Sequence, residues 1–85
     1  MYRISSSIRS THGQDGAIVL DVAQGQMFNL NLVGSKILEL LEKGSDEAEI
    51  VIAISEDFHA DRDIVAGDVR DFLESLKRHK LIVDR

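Results

Sequence analysis

Two short apolar runs lie close together in the N-terminal half of the chain, at residues 17–22 and 26–30. Each run has the length of a strand, and Gly25 supplies the positive-φ position that a short hairpin loop needs. Asn31 follows directly and suits a helix N-cap, because its side-chain oxygen can accept a hydrogen bond from a free N–H of the first turn. The segment therefore predicts a β-hairpin that runs straight into a helix, with a sheet edge left beside the helices.

The N-terminal segment has the alternating pattern of a further strand. Over residues 2–9, Tyr2, Ile4 and Ile8 fall on alternate positions, the period of two that a half-buried strand shows. The sequence His12-Gly13-Gln14-Asp15-Gly16 then predicts a turn before the hairpin. We therefore expect one strand in this region, which makes three strands in all.

Three helices are predicted in the rest of the chain. Each has apolar residues at helical spacing and a polar residue that can cap its first turn. The first predicted helix spans residues 31–44, the second begins at Ser45 or Asp46 and ends near residue 58, and the third spans residues 61–79. Residues 81–83 form a short extended tail. Asp46 and Glu49 have the spacing of a capping box at the start of the second helix. Three strands grouped before three helices indicate an α+β domain.

The composition fits a single small domain over residues 1–85. A chain of 85 residues with 44% hydrophobic but only 5% aromatic residues can build one aliphatic core. Cysteine is absent, which excludes disulfides and thiolate chemistry and favours a reducing cytoplasm. No run approaches the roughly 20 apolar residues of a membrane span, and the N-terminus lacks the pattern of a signal peptide. We expect a soluble, cytoplasmic protein with no membrane partner.

The sequence has no arrangement of residues that would serve catalysis or hold a cofactor. His12, His59 and His79 are far apart along the chain, whereas metal ligands usually include a pair at short spacing. The carboxylates of the second helix lie opposite its apolar face, as solvated charges do. The serines have no nucleophile-elbow sequence around them, and the glycines match neither a P-loop nor a dinucleotide fingerprint. We therefore expect neither an enzyme nor a bound metal or other cofactor.

The predicted sheet edge offers a way to bind an extended peptide. An edge strand has unpaired backbone N–H and C=O groups, and an incoming segment can pair with them as one more strand. If the last helix lies beside this edge, its apolar residues form the floor of a groove. The alternative is that these residues are core, which we favour for most of them. They are Val69, Phe72, Leu73 and Leu76.

The order and spacing of several short motifs resemble those of PqqD-like proteins. The motifs are DGAIVLD at 15–21, GQMFNLN at 25–31, Gly34, ILELL at 37–41, DVRDFLESL at 68–76, and residues 81–82. The resemblance implies a winged-helix-like domain with a three-stranded antiparallel sheet, known as the recognition element for precursors of ribosomally made, modified peptides (RiPPs). It also implies that the domain is noncatalytic, binds the leader segment of a precursor peptide and presents that precursor to a partner processing enzyme.

The resemblance further implies where the leader binds. In the family, the leader adds as a strand to the third β-strand and packs against the third helix, which here corresponds to about residues 65–77. Apolar leader side chains would enter a groove near Phe28, and Arg70 and Lys77 would pair with leader acids at its rim. The peptide-binding residues predicted in this way are Gln26, Met27, Phe28, Asn29, Leu30, Asn31, Val69, Arg70, Phe72, Leu73, Leu76 and Lys77.

Two settings within the family suit a free-standing chain of this size. One resembles the standalone leader-binding protein that works with the leader peptidase of lasso-peptide biosynthesis. The other resembles the chaperone that delivers a precursor to a radical enzyme in quinone-cofactor synthesis. The short N-terminus favours the lasso type.

The sequence also permits two further hypotheses. Three helices with a small sheet also describe a winged-helix DNA-binding protein. However, the net charge is −5, and residues 61–80 hold five acids and five bases, which leaves no excess positive charge for phosphate contacts. Nucleic acid is therefore not an expected partner. The edge strand could instead pair with a second copy of the chain, so we expect a monomer or an edge-strand dimer.

Overall fold

The structure is a computed structural model that describes residues 2–84. Along these residues, four strands precede three helices and a fifth strand follows them. The strands are β1 (Tyr2–Ile4), β2 (Ile8–Gly13), β3 (Gly16–Asp21), β4 (Gln26–Leu30) and β5 (Ile82–Asp84), and the helices are α1 (Leu32–Glu42), α2 (Glu47–Phe58) and α3 (Arg62–Arg78). The result is an α+β fold. No helix within residues 2–84 is long and apolar enough to cross a membrane.

The strands form two antiparallel sheets. One has the order β2-β3-β4 and the other pairs β1 with β5. In β3, Ala17 and Val19 are buried, whereas Ile18 and Leu20 between and after them are exposed, so the larger sheet turns one face to the core and one to solvent. The core is aliphatic and joins this face to all three helices. Its buried side chains include Ile37, Leu38, Leu41, Ile50, Ile54, Val65, Val69, Leu73 and Leu76.

The prediction of one strand over residues 2–9 was wrong. The structure divides this segment into β1, which pairs with the C-terminal residues, and β2, which joins the hairpin. A turn separates the two strands, in which the N–H of Ile8 donates to the carbonyl oxygen of Ser5 (3.2 Å). The side chain of Ser5 also accepts from the Ser7 N–H (3.3 Å). Serine side chains compete in this way with ladder hydrogen bonds, which explains why the strand is interrupted.

The other strand boundaries differ less from the predictions. The predicted turn over residues 12–16 is shorter than expected, because His12 and Gly13 lie in β2 and Gly16 begins β3. The predicted extended tail at residues 81–83 overlaps β5, whose partner β1 is at the other end of the chain. The predicted order of three strands and three helices is therefore corrected to four strands, three helices and one strand.

The three predicted helix starts are confirmed by their caps. The side chain of Asn31 accepts from the N–H of Gly34 at the start of α1. Asp46 and Glu49 form a reciprocal capping box at the start of α2, with both hydrogen bonds at 2.9 Å. Asp61 accepts from the first turn of α3. Because each cap is a local interaction, it fixes the point at which a helix begins whatever the helix later packs against.

Candidate functional site

β4 forms one edge of the three-stranded sheet. Alternate residues of an edge strand turn their backbone groups away from the sheet, so the phase of the alternation decides which groups are open. A hydrogen bond at the start of the β2–β3 ladder gives this phase. The N–H of Val22 donates to the carbonyl oxygen of Ser7 (3.0 Å). Even-numbered residues of β3 therefore bond to β2, and odd-numbered residues bond to β4.

The same phase identifies the open backbone groups of β4. Val19 of β3 lies opposite Phe28, so the even-numbered residues of β4 are the ones bonded to β3. Met27 and Asn29 consequently direct both their N–H and their C=O groups away from the sheet. An added strand could form hydrogen bonds with these four groups.

A groove of about 480 Å³ lies between β4 and α3, and we call it the β4–α3 groove. Its walls come from β4 and the residue after it, the first turns of α1, the C-terminal end of α2 and the first half of α3. The lining residues are Asn29, Leu30, Asn31, Val33, Gly34, Ile37, Ile54, Phe58, Ala60, Val65, Asp68, Val69 and Phe72. The lining is mostly apolar, and the volume is in the range of sites that enclose small ligands. The groove therefore has room for apolar side chains of a segment paired to β4.

Asn31 and Gly34 determine how closely α1 approaches α3 at this site. The Oδ1 atom of Asn31 accepts from the N–H of Gly34 (2.8 Å), so α1 begins immediately after β4. A Cβ atom at Gly34 would lie 3.2 Å from Cζ of Phe72. The absence of a side chain there lets the Phe72 ring lie against the first turn of α1, where it forms part of the groove wall. The end of β4 is thus beside the middle of α3.

The start of β4 is held beside the C-terminal end of α3. The Nε2 atom of Gln24 donates to Oδ2 of Asp21 (2.7 Å) and to the carbonyl oxygen of His79 (3.3 Å). The rings of Phe28 and His79 meet edge to face, with their centroids 5.0 Å apart. These contacts tie the hairpin loop to the helix. Together with the position of Phe72, they show that β4 runs antiparallel to α3.

Asp21 supports this end of the site as a buried carboxylate. Burial by itself would raise the pKa of Asp21. Hydrogen bonds from the Gln24 backbone, the Ser7 hydroxyl, the Gln24 side chain and the Ala23 backbone outweigh burial, so the pKa is lowered. The side chain is therefore ionised at neutral pH and accepts the hydrogen bonds that hold the hairpin loop in place.

The family model described as coenzyme PQQ synthesis protein D (PqqD) matches residues 16–82. The chain belongs to the PqqD family. This membership confirms the predicted resemblance to PqqD-like proteins. No curated protein matches the sequence.

Two solved structures are similar to this PqqD-family protein. One is TbiB1 in complex with the TbiA(beta) leader peptide, with 38% identity and a TM-score of 0.91 over 98% of this chain and 96% of that chain. The other is lasso peptide synthetase B1 complexed with the leader peptide, with 20% identity and a TM-score of 0.87 over 98% of each chain. The second match shows the shared fold alone, whereas the first combines fold with substantial identity over nearly the whole length.

The structure of this PqqD-family protein places the predicted strand residues along the open edge. Asn29, Leu30 and Asn31 line the β4–α3 groove. Phe28 is half-buried against His79. The two remaining predicted residues, Gln26 and Met27, continue the edge beyond the groove lining.

The predicted residues of α3 fall into three groups. Val69 and Phe72 line the groove, and Val69 is also a buried residue of the core. Leu73 and Leu76 are buried in the core, as the alternative interpretation held. The last group, Arg70 and Lys77, lies outside the groove lining.

Arg70 and Lys77 contact residues of other elements outside the groove lining. The Nε atom of Arg70 is 3.5 Å from Oε2 of Glu47 in α2. The Nζ atom of Lys77 lies 5.4 Å from the ring centroid of Tyr2 in β1. A role for these two side chains at the rim of the groove stays a prediction.

The walls formed by α1 and α2 were not predicted as part of the site. They contribute Val33, Gly34 and Ile37 from α1, and Ile54 and Phe58 from α2. Phe58 carried a usable signal in the sequence, because it is an aromatic residue at the very end of a predicted helix. In the structure its side chain remains partly exposed. The others have ordinary core spacing, which does not distinguish a groove wall from the interior.

Proposed function

We propose that this protein binds, without catalysis, the leader segment of a ribosomally synthesised precursor peptide and delivers the precursor to a partner processing enzyme. The leader adds as a strand to β4 and packs against α3. The observation that carries this proposal is the open edge of β4 beside an apolar groove. The fold shared with TbiB1, whose structure is of a complex with a leader peptide, supports the same assignment.

Strand addition has a definite consequence for the leader side chains. A residue in the added strand projects to the same side of the sheet as the β4 residue opposite it. Leader residues opposite Phe28 and Leu30 therefore project toward α3 and the groove, whereas those opposite Met27 and Asn29 project to the outer face. We expect apolar leader side chains two positions apart to enter the β4–α3 groove. The backbone pairs would supply register, and these side chains would supply selectivity.

The composition of the groove supports binding rather than catalysis. Asp68 is the one titratable side chain among its lining residues. Nucleophilic catalysis generally needs a nucleophile with an activating group at hydrogen-bonding distance. A carboxylate among apolar walls lacks such a partner, so we assign the processing chemistry to the partner enzyme.

We further propose that the partner is a leader peptidase of the lasso type. Both similar structures are complexes with a leader peptide, and one of them is of a lasso peptide synthetase B1. The outer face of the sheet offers a surface for this enzyme, because Ile18, Leu20 and Met27 are 50%, 42% and 65% exposed. Clustered exposed apolar residues mark interaction surfaces. The face also adjoins the edge where the leader would lie, so one enzyme surface could contact both.

The binding step is tested by titrating the protein against two fluorescently labelled leader peptides. One is the TbiA(beta) leader, and the other is the leader of the precursor encoded beside this protein. We expect saturable binding at micromolar concentration or below, about −8 kcal/mol or stronger. Amide hydrogen exchange should slow at Met27 and Asn29 in the complex, and a scrambled leader is the control. Absence of saturable binding by both leaders would exclude the proposed function.

The delivery step is tested with Leu20→Lys on the outer face. The variant should bind the leader like the wild type, but the affinity of the protein–leader complex for the purified partner peptidase should fall about tenfold or more, as for loss of an apolar interface anchor. Ile52→Lys is a matched control, since Ile52 is comparably exposed but lies on α2. Equal effects of both variants would show that the outer face is not the docking surface.

A further inference from the structure

We propose that the surfaces at the two ends of β4 select opposite charges in the leader. A basic leader residue lies at the end of the groove near Leu30, and an acidic residue lies about five positions later, near Gln26. The inference rests on the proposed function, because it specifies which leaders the same groove accepts. It follows from the distribution of charged residues along α3 and from the direction of β4.

The end of the groove near Leu30 is acidic. Asp68 lines the groove there, and within residues 2–84 no cationic side chain forms an ion pair with it. Asp61, next to the lining residue Ala60, adds a second carboxylate that accepts from the N–H groups of Asp63 and Ile64. A basic leader residue beyond the paired segment would therefore meet the negative charge of Asp68 at this end.

The other end of β4, which lies beyond the groove lining, is basic. Arg78 and Lys80 are exposed and flank His79, whose ring contacts Phe28 near the start of β4. Neither Arg78 nor Lys80 forms an ion pair within the described part of the chain. The carboxylate on this side, Asp21, is buried and already accepts hydrogen bonds from Ser7 and Gln24. An acidic leader residue would therefore meet positive charge at this end.

The helix dipole explains only part of this distribution. Acids at the start of a helix and bases at its end stabilise the helix itself, which accounts for Asp61 and Arg78 without any ligand. The effect is confined to the terminal turns. Asp68 is the seventh residue of α3, beyond the first turn, and it lies in an otherwise apolar wall. The dipole therefore does not account for Asp68, whose exposed side chain is available to a cationic group of the leader.

The spacing of the two charges follows from helix and strand geometry. Asp68 and Arg78 are ten residues apart along α3, which is about 15 Å at 1.5 Å per residue. A strand covers this distance in about five residues at roughly 3.3 Å each. Antiparallel pairs are the more common and slightly more stable kind. An antiparallel leader has its N-terminal side at Leu30, so the basic residue comes first in the leader sequence.

The test uses four versions of the TbiA(beta) leader peptide. In each version, lysine or glutamate replaces the leader residue before and the leader residue after the segment that pairs with Met27 and Asn29. The four versions cover all combinations of the two charges. We expect the version with lysine before and glutamate after this segment to bind tightest. The version with the charges exchanged should bind about three- to tenfold more weakly, and added salt should reduce the difference.

Protein variants assign each preference to one end of β4. Asp68→Asn should remove the preference at the N-terminal flank alone, and Arg78→Gln combined with Lys80→Gln should remove the preference at the C-terminal flank alone. Arg70→Gln is a control, because the Arg70 side chain points to Glu47 of α2, and it should change neither preference. Equal affinity for all four peptides, or tighter binding of the exchanged version, overturns the inference while binding of the unmodified leader upholds the proposed function. If the unmodified leader does not bind, the proposed function fails and this inference fails with it.

Discussion

Met27→Pro is expected to weaken leader binding about fivefold or more while the protein stays folded. The N–H of Met27 faces the open edge of β4, so its removal takes no hydrogen bond from the sheet. In the complex, the loss leaves a carbonyl group of the leader without its partner, which costs roughly 1–3 kcal/mol. The measurement is the fluorescence titration with the TbiA(beta) leader, accompanied by circular dichroism to verify the fold.

The controls separate the backbone effect from the loss of the methionine side chain. Met27→Ala retains the N–H and should bind the leader like the wild type. Asn29→Pro removes the other open N–H of β4 and should repeat the effect of Met27→Pro. Phe28→Pro differs, because the N–H of Phe28 bonds to β3 and its loss should destabilise the sheet itself. A folded Met27→Pro protein with unchanged affinity would show that the leader does not pair with this edge.

The parts of the fold that were predictable are those encoded locally. Gly25 has the predicted positive φ of 67°, and the caps at Asn31, Asp46 and Asp61 stand where the sequence placed them. Each of these signals depends on residues within three positions of one another. The hairpin and the following helix could therefore be located without knowledge of the tertiary structure, and with them one wall of the groove.

The parts that were not predictable depend on contacts between distant residues. The short strand β1 exists because its partner, β5, returns from the far end of the chain, and no local pattern near Tyr2 reveals that partner. The groove has the same origin, since α1, α2 and α3 each supply part of its lining. The apolar stripe of α3 identified which side chains of the helix are shielded from solvent in the folded protein. It could not separate Phe72, which lines the groove, from Leu73, which is core.

The orientation of charged residues on α3 was equally hidden in the sequence. Asp68 and Arg70 are two positions apart, so their side chains leave the helix on different sides. Packing of the helix turns Asp68 to the groove and Arg70 to Glu47 of α2. The sequence fits either orientation until the positions of β4 and α2 are known. For this reason Asp68 was not predicted as a lining residue, whereas Arg70 and Lys77 were predicted at the rim.

Gly16→Ala is expected to lower the free energy of unfolding by about 2–5 kcal/mol. Gly16 has a φ of 149°, which a residue with a side chain rarely adopts. A Cβ atom there would also collide with the carbonyl oxygen of Leu30, a backbone atom that cannot move without displacing the end of β4. Backbone strain and steric displacement therefore add, in a small domain whose total stability is of the order of 5–15 kcal/mol.

Urea denaturation of the two proteins at neutral pH measures this loss. Gly13→Ala is the matched control at the other side of the same turn, because its nearest contact, the carbonyl oxygen of Gly16, would be at an ordinary 3.9 Å. The control should change the free energy of unfolding far less than Gly16→Ala. Equal stabilities of the wild type and Gly16→Ala would contradict the close approach of Gly16 to Leu30. That approach fixes the end of β4 at the groove, so the variant should also weaken leader binding under conditions in which it remains folded.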